Sequence, residues 1–431
     1  MKTAIYALFM LVVGLLAAEI VAEGYVYVNE DTLTWMRRVP ASQPTVPGPD
    51  QAVQATRQVL FPYYGFGLRP GWRLPDGDMG LQLRTMGLTS VPDYWRWPAN
   101  NLGFQSDANY PRPSEPNDFV VAIFGGSVAN GLALEGREEL GAIIRSVPRL
   151  MDRNVVFVNL AQGGFKQPQQ VLVLAYLLAL GQKLDAIINL DRFNELYVAW
   201  ENDHESRVSA DMPAAKFIFG LQNRFLSTQS DVAAEVAQAR SRARRLERRA
   251  ATARSALHYL YLRALLLRAE TRVVEIETEI GKSVPGRPYP IVLRTTTSES
   301  VDRLAIDVAD IWYRASIAMK GLALSVGAVY VHVIQPNQYF SRRRFSETER
   351  AVAIDPSHAA AVLVPRGYPE MLKRGALLAE SGIAFVDTTA AFDSKPRPVY
   401  FDTCCHFNKL GYSILIERYI RPKLLALLES R

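Results

Sequence analysis

Five short runs of mostly apolar residues, at 119–124, 155–160, 186–190, 328–334 and 384–386, punctuate the chain. They are rich in Val and Ile and are bounded by Gly, Asn or Asp. Such runs predict strands buried on both faces. Between them, at 134–150, 167–181, 302–326 and 367–381, apolar residues recur every three or four positions, which predicts helices. This alternation predicts an α/β fold: a three-layer sandwich with a central, mostly parallel sheet, built from 117–200 and 301–431.

The segment 201–300 interrupts the alternation with a different period. Apolar or small residues alternate at spacings of four and three, through Val232, Val236, Ala239, Ala243, Leu246, Ala250, Ala253, Leu257, Leu260, Ala264, Leu267, Thr271 and Val274, with Thr271 alone breaking the apolar character. A seam of that kind predicts a coiled coil or a long helical hairpin. Residues 240–272 hold ten arginines, two glutamates and no other charged residue, a local charge of +8 against +6 for the whole chain. The remainder is therefore slightly acidic. A confined arginine face suits an anionic surface, either lipid headgroups, acidic glycans or an acidic partner protein, and the bland alternative is a solvated helix face. The seam also makes a homo-oligomer an expected outcome.

The N-terminus reads "MKTAIYALFMLVVGLLAAEIVAEG". The run from Thr3 to Ala18 is uncharged and mostly apolar, and no clean small-x-small cleavage site accompanies it, since Leu16 and Ile20 occupy the −3 positions of the best cuts. Residues 1–23 are read as an uncleaved signal anchor, with a cleaved signal peptide as the alternative. Both place the rest of the chain outside the cytoplasm, membrane-anchored or secreted, and nucleic acid is not an expected partner. Residues 24–57 read as a linker. Residues 58–116, dense in Pro, Gly and aromatics, read as an irregular cap packed on the main domain. The two cysteines, Cys404 and Cys405, are adjacent, which gives no disulfide framework and no CxxC pair, so two free thiols are expected.

Candidate chemistry gathers at the ends of the strand-like runs. In "FVVAIFGGSVANG" a buried strand stops at Gly125 and Gly126, which allow a tight turn or a close backbone approach. Ser127 then stands where open α/β sheets place their sites. The block "VFVNLAQGGFKQPQQ" ends a strand in Gly163 and Gly164, and "AIINLDRFNEL" ends one near Asn194. The block "VYFDTCCHFNKLGY" brings Asp402 and His406 just before a final helix. In this order the blocks resemble the SGNH (GDSL-type) hydrolase family. The resemblance spans 118–200 and 328–431 and leaves out the anchor, the cap and the arginine-rich segment.

The resemblance implies a flavodoxin-like sheet, a catalytic Ser127–His406–Asp402 set, and an oxyanion hole made by the Ser127 and Gly164 backbone N–H groups and the Asn194 side chain. The chemistry requires such parts. A serine hydroxyl needs an adjacent base, the base needs a carboxylate to orient it, and a developing oxyanion needs donors already in place. Two departures stand out. The first block has Gly126 where the family often has Asp. The family also places two residues between acid and histidine, whereas Thr403, Cys404 and Cys405 make three here. Either the loop bulges and Asp402 still reaches, or the site is a Ser–His dyad. Asp387 is a rival acid, with capping as its other role. Gln335 and Asn337 end a strand at the same sheet edge and are candidates to face substrate. His332 reads as a core or strand-end histidine, and Cys405 as a weak rival nucleophile. No metal and no cofactor are expected.

Three functions follow as expectations. The first is an ester hydrolase acting on acyl, above all acetyl, esters of envelope glycan or lipid through an acyl-serine. The second is a polysaccharide O-acetyltransferase using the same site. The third is a non-catalytic SGNH-like subunit for assembly or binding, which the altered acid spacing suggests.

Overall fold

The computed structural model describes residues 2–30, 33–34, 58–73, 97–218, 231–282, 298–394 and 397–430. In chain order the first elements are α1 (Lys2–Glu30), β1 (Gln58–Phe61), β2 (Gly65–Leu68), β3 (Asp118–Gly125), α2 (Ser127–Glu135), α3 (Arg137–Arg145), β4 (Asn154–Ala161), α4 (Gln169–Ala179), β5 (Ala186–Asp191) and α5 (Phe193–Trp200). They are followed by α6 (Asp231–Ala251), α7 (Ala256–Lys282), α8 (Val301–Ser325), β6 (Val329–Ile334), α9 (Glu347–Ala353), α10 (Ala360–Glu380), β7 (Ala384–Asp387), α11 (Lys409–Leu415) and α12 (Arg421–Glu429). Two compact units result, Met1–Thr56 with Phe219–Tyr289, and Arg57–Ile218 with Pro290–Arg431.

The second unit is the α/β domain. Its five-stranded parallel sheet has the order β4-β3-β5-β6-β7. β3, β5 and β6 are buried along their whole length, as continuous apolar strands covered on both faces must be. Helices α2, α3, α11 and α12 pack together on one face, and α4, α5, α8 and α10 on the other. This is the flavodoxin-like order. The chain steps from β3 out to β4 and then back across to β5, so a crevice opens beyond the carboxyl ends of β3 and β5.

Packing moves several expected boundaries. α2 starts on Ser127 itself and α5 begins at Phe193, so Asn194 sits on a helix and not at a strand end. α10 starts at Ala360, seven residues before the expected start, and runs through Pro365 and Pro369. Burial of Leu363, Val364, Tyr368 and Met371 holds it helical despite two missing N–H groups. Within the cap, β1 and β2 form an antiparallel hairpin. Its aromatics turn inward: Tyr64, Phe66 and Phe104 are buried against Phe165, with ring centroids 6.2, 5.3 and 6.0 Å from it. Residues 74–96 of the cap lie outside the described residues.

The arginine-rich insertion is narrower than 201–300. Residues up to Ile218 belong to the α/β unit. They are tied there by Asn202, whose side chain donates to Met212 O and Pro213 O and accepts from Ala215 N.

In the first unit α1 continues to Glu30, so 24–30 is helix where the sequence suggested linker. Residues 35–57 lie outside the described residues. Over Phe9–Val28, α1 is long and apolar enough to cross a membrane. α6 and α7 form a hairpin, one of the two forms the seam allowed. The seam holds for Ala250 and Ala253, then slips. After the turn at 252–255 the buried residues are Ala256, Tyr259, Leu262, Leu266, Val273 and Ile276. Leu257, Leu267 and Val274 are exposed instead. Non-helical turn residues break the 100° step per residue, so a seam read as continuous is out of phase beyond them.

Candidate active site

Two glycines and a serine end β3 for steric reasons. Gly125 has φ +142°, and a Cβ there would lie 1.9 Å from Leu190 O on β5. A Cβ on Gly126 would lie 2.3 Å from the Asn194 amide nitrogen. At 125 only glycine lets β3 turn this tightly beside β5 and deliver Ser127 to the first position of α2. There its N–H has no partner within the helix and its Oγ faces the crevice-side loop that carries His406.

That loop supplies the other two side chains. The ring of His406 is bonded on both sides: Nε2 lies 2.6 Å from Ser127 Oγ, and Nδ1 lies 2.5 Å from Asp402 Oδ2. The three-residue spacing is bridged by the carboxylate itself. Asp402 Oδ1 accepts from the backbone N–H groups of Cys404, Cys405 and His406, each at 3.1 Å. The segment thus curls around its own acid, and the extra residue is taken up in the curl. Tyr412, on α11 just after the loop, packs its ring against Phe407 of the loop, with centroids 4.7 Å apart, and its hydroxyl against the serine's helix, where a Cβ on Gly131 would strike it at 1.9 Å.

Asp402 and His406 are buried, and each alters the other's ionisation. Burial alone would raise the Asp402 carboxyl, but His406 and the loop amides hold it below the usual range. Burial alone would lower His406, but the Asp402 charge and hydrogen bond lift it to about 9. The raised histidine binds its proton more tightly in the folded chain. Its contribution to stability is therefore full below the unfolded value of ~6.5 and is lost as pH rises through about 9. Melting temperatures measured across that window should fall with rising pH. The part due to this pair should be absent in Asp402→Asn, and an unchanged slope in that variant would contradict the coupling.

The candidate oxyanion donors come from the loop after β4 and from the first turn of α5. Gly163 lies beside the serine: a Cβ built on it would meet only Ser127 Cβ, at 4.0 Å. Gly164 has φ +83°, and a Cβ there would strike Phe217 at 2.7 Å. Neither glycine N–H has an acceptor among the described residues. Asn194 Nδ2 donates one hydrogen to Phe165 O at 2.8 Å, which sets the amide against Gly126 and leaves its second hydrogen for a ligand.

The residues that hold these two segments together carry little mark in the sequence. Glu195 is buried, and its two oxygens accept from Gln167 N at 3.0 Å and Arg192 N at 2.8 Å, joining the Gly164 loop to the Asn194 turn. Arg192 is strained at φ +135°, and its guanidinium lies 3.3 Å from the Tyr368 ring centre. Asn159 donates to Asn130 Oδ1 and Gln105 O, binding β4, α2 and the cap into one network. The signal for Glu195 was its place next to Asn194. Nothing local marked Arg192 or Gln105.

Other candidates stand apart. Asn337 is fully buried and donates to Cys404 O, so it braces the acid–base loop and does not face the crevice. Gln335 is buried beside Cys405. Asp387 Oδ1 accepts from Thr389 N and Oγ1, which is a capping role. His332 is fully buried between Asp191, at 2.9 Å, and Ser316, at 2.7 Å. That array copies a triad's order of residues but is sealed from solvent. Cys404 and Cys405 are free thiols with sulfurs 3.0 Å apart. Burial pushes the Cys405 thiol up, away from the thiolate a nucleophile needs. With His406 they are the group that places three possible metal-ligand atoms within 4.8 Å among the described residues, but both ring nitrogens of His406 are already engaged.

No family model and no curated protein matches this chain. Among solved structures it is similar to LAE5, an alpha/beta hydrolase enzyme from the metagenome of Lake Arreo, Spain. Identity is 11%, with 73% of this chain and 96% of that chain covered and a TM-score of 0.31. A likeness that distant transfers no role to any residue.

Proposed function

We propose that the protein is a serine ester hydrolase of the SGNH class, anchored by α1 outside the cytoplasm and acting on acyl esters of envelope glycan or lipid. The observation that carries the reading is the chain Ser127 Oγ–His406–Asp402, with both links at hydrogen-bond length, at the switch point of a parallel sheet. Ser127 Oγ attacks the ester carbonyl as His406 Nε2 takes its proton. The oxyanion is met by the Ser127 N–H, the N–H groups of the Gly163–Gly164 turn and the free hydrogen of Asn194. His406 returns the proton to the departing alkoxide and leaves an acyl-serine. It then draws a proton from water, whose oxygen attacks the acyl carbon, and it passes that proton to Ser127 Oγ as the acyl–oxygen bond breaks and the acid leaves. A sugar hydroxyl in place of that water would make the same site an O-acetyltransferase. A non-catalytic role drew its support from the wide acid–histidine spacing, and the Asp402–His406 contact favours catalysis.

The test uses detergent-solubilised full-length protein, p-nitrophenyl acetate and a fluorophosphonate probe. Turnover is expected, together with a single probe adduct on the peptide bearing Ser127, and both should vanish in Ser127→Ala. Folded wild-type protein that neither turns over nor labels at Ser127 would return the reading to a binding subunit.

A further inference from the structure

Glu19 and Glu23 stand inside the apolar stretch Phe9–Val28, so the longest part of α1 free of charge is Thr3–Ala18, 16 residues or ~24 Å of helix, against a hydrocarbon core of ~30 Å. The end of that run coincides with a contact. The Glu19 carboxylate accepts from Ser255 Oγ at 2.9 Å, from Ala256 N, and from Leu257 N at 3.2 Å, so it caps the start of α7. One turn on, Ala22 and Val26 are buried with Ala250, Ala253, Ala256, Tyr259 and Leu262. Glu23 accepts from Thr34 N. Polar bonds of this kind belong at the membrane surface and not within hydrocarbon. The hairpin turn is therefore held level with the end of the span, and the hairpin rises from there alongside α1.

The surroundings of the turn suit the headgroup layer. Exposed Arg248 and Arg249 stand just before it, and exposed Arg254 lies in it. Beside them Tyr25, Leu257 and Tyr261 are exposed, and an apolar groove runs between Ala17, Val21 and Leu260. Tyrosine and arginine at one level, above apolar surface, is the composition of an interfacial belt. Sinking the turn by a few ångströms would also make up the ~6 Å by which the span falls short.

We propose that the hairpin turn is immersed in the headgroup layer of the membrane that holds α1, with Arg248, Arg249 and Arg254 binding the phosphates of anionic phospholipid. The inference rests on the reading of α1 as a retained anchor. It assigns the local charge of +8 unevenly. Arg242 and Arg268 lie ~14 and ~18 Å of helix from the turn, beyond the ~8 Å Debye length, and contribute little.

The experiment is hydrogen–deuterium exchange on the full-length protein in nanodiscs of phosphatidylcholine, with or without phosphatidylglycerol. The peptide covering 250–258 should exchange more slowly in the anionic discs, by about five-fold for each engaged arginine. High salt should erase the difference. Arg248→Glu/Arg249→Glu should abolish it, while Arg242→Glu/Arg268→Glu should keep it. Equal exchange in both lipids, or equal loss in both double variants, would overturn the proposal. Amides of 5–18 in the same samples report on the anchor. Protection there without a lipid effect at the turn sinks the lipid site alone, and exchange there sinks the anchor reading with it. Retained protection of 262–276 shows that each variant still folds its hairpin.

Discussion

Asp402→Asn should lower ester turnover about 10⁴-fold and leave the fold intact, because the two carboxylate oxygens have separate duties. Oδ1 gathers the N–H groups of Cys404, Cys405 and His406. An asparagine carbonyl can accept those same three bonds, so the loop keeps its curl. Oδ2 faces His406 Nδ1. An amide NH₂ in its place donates where the carboxylate accepted, so the ring must carry its proton on Nε2. That nitrogen then cannot take the proton of Ser127. The loss of negative charge should also bring the His406 titration down from about 9 towards the free value. Turnover in the wild type should rise with pH through the higher value, since only the neutral ring is a base. Steady-state kinetics with a pH–rate profile measures both effects. Thr403→Ala and Asp387→Asn should change little, Asp387 being engaged with Thr389. Wild-type turnover in Asp402→Asn would leave a Ser–His dyad as the explanation.

Gly126→Ala should reduce kcat about 10²–10³-fold with KM nearly unchanged, the size of effect seen when one oxyanion donor is lost. The backbone at this position, φ −86° and ψ −155°, is open to alanine, so β3 and α2 need not move. The new methyl would instead lie 2.3 Å from Asn194 Nδ2 and 3.5 Å from Phe165 O, the pair whose bond aims the amide. Asn194 must swing away. Asn194→Ala should produce a loss of the same size, and the double variant should lose no more than either single one, because both remove one donor. Additive losses would show that Gly126 acts by another route. A melting temperature close to wild type, measured beside the kinetics, separates this from a folding defect.

The α/β core could be read from the sequence because its signal is local. Continuous apolar runs such as 119–124 and 186–190 can be satisfied only by strands covered on both faces, and the helical period between them supplies the cover. Gly125 and Gly126 were likewise marked by type, since any other residue there meets β5 or Asn194. What stayed hidden depends on groups distant in the chain. The spacing 402–406 leaves the acid open between Asp402 and a dyad, and the choice is made by three backbone N–H groups that turn inward only once the loop is folded. Asn337 carries the pattern of a substrate-facing residue but is enclosed by the loop bearing Cys404, 67 positions later. The seam of the insertion reads as continuous because periodicity carries no mark for a turn that leaves the heptad register. The height of that turn on α1 is set by Glu19, 237 positions from Ala256. Sequence pattern determines which residues must be buried, because burial is a property of each side chain. Which buried or polar groups meet is decided by tertiary structure, because hydrogen bonds and close contacts depend on angles and distances that no spacing along the chain encodes.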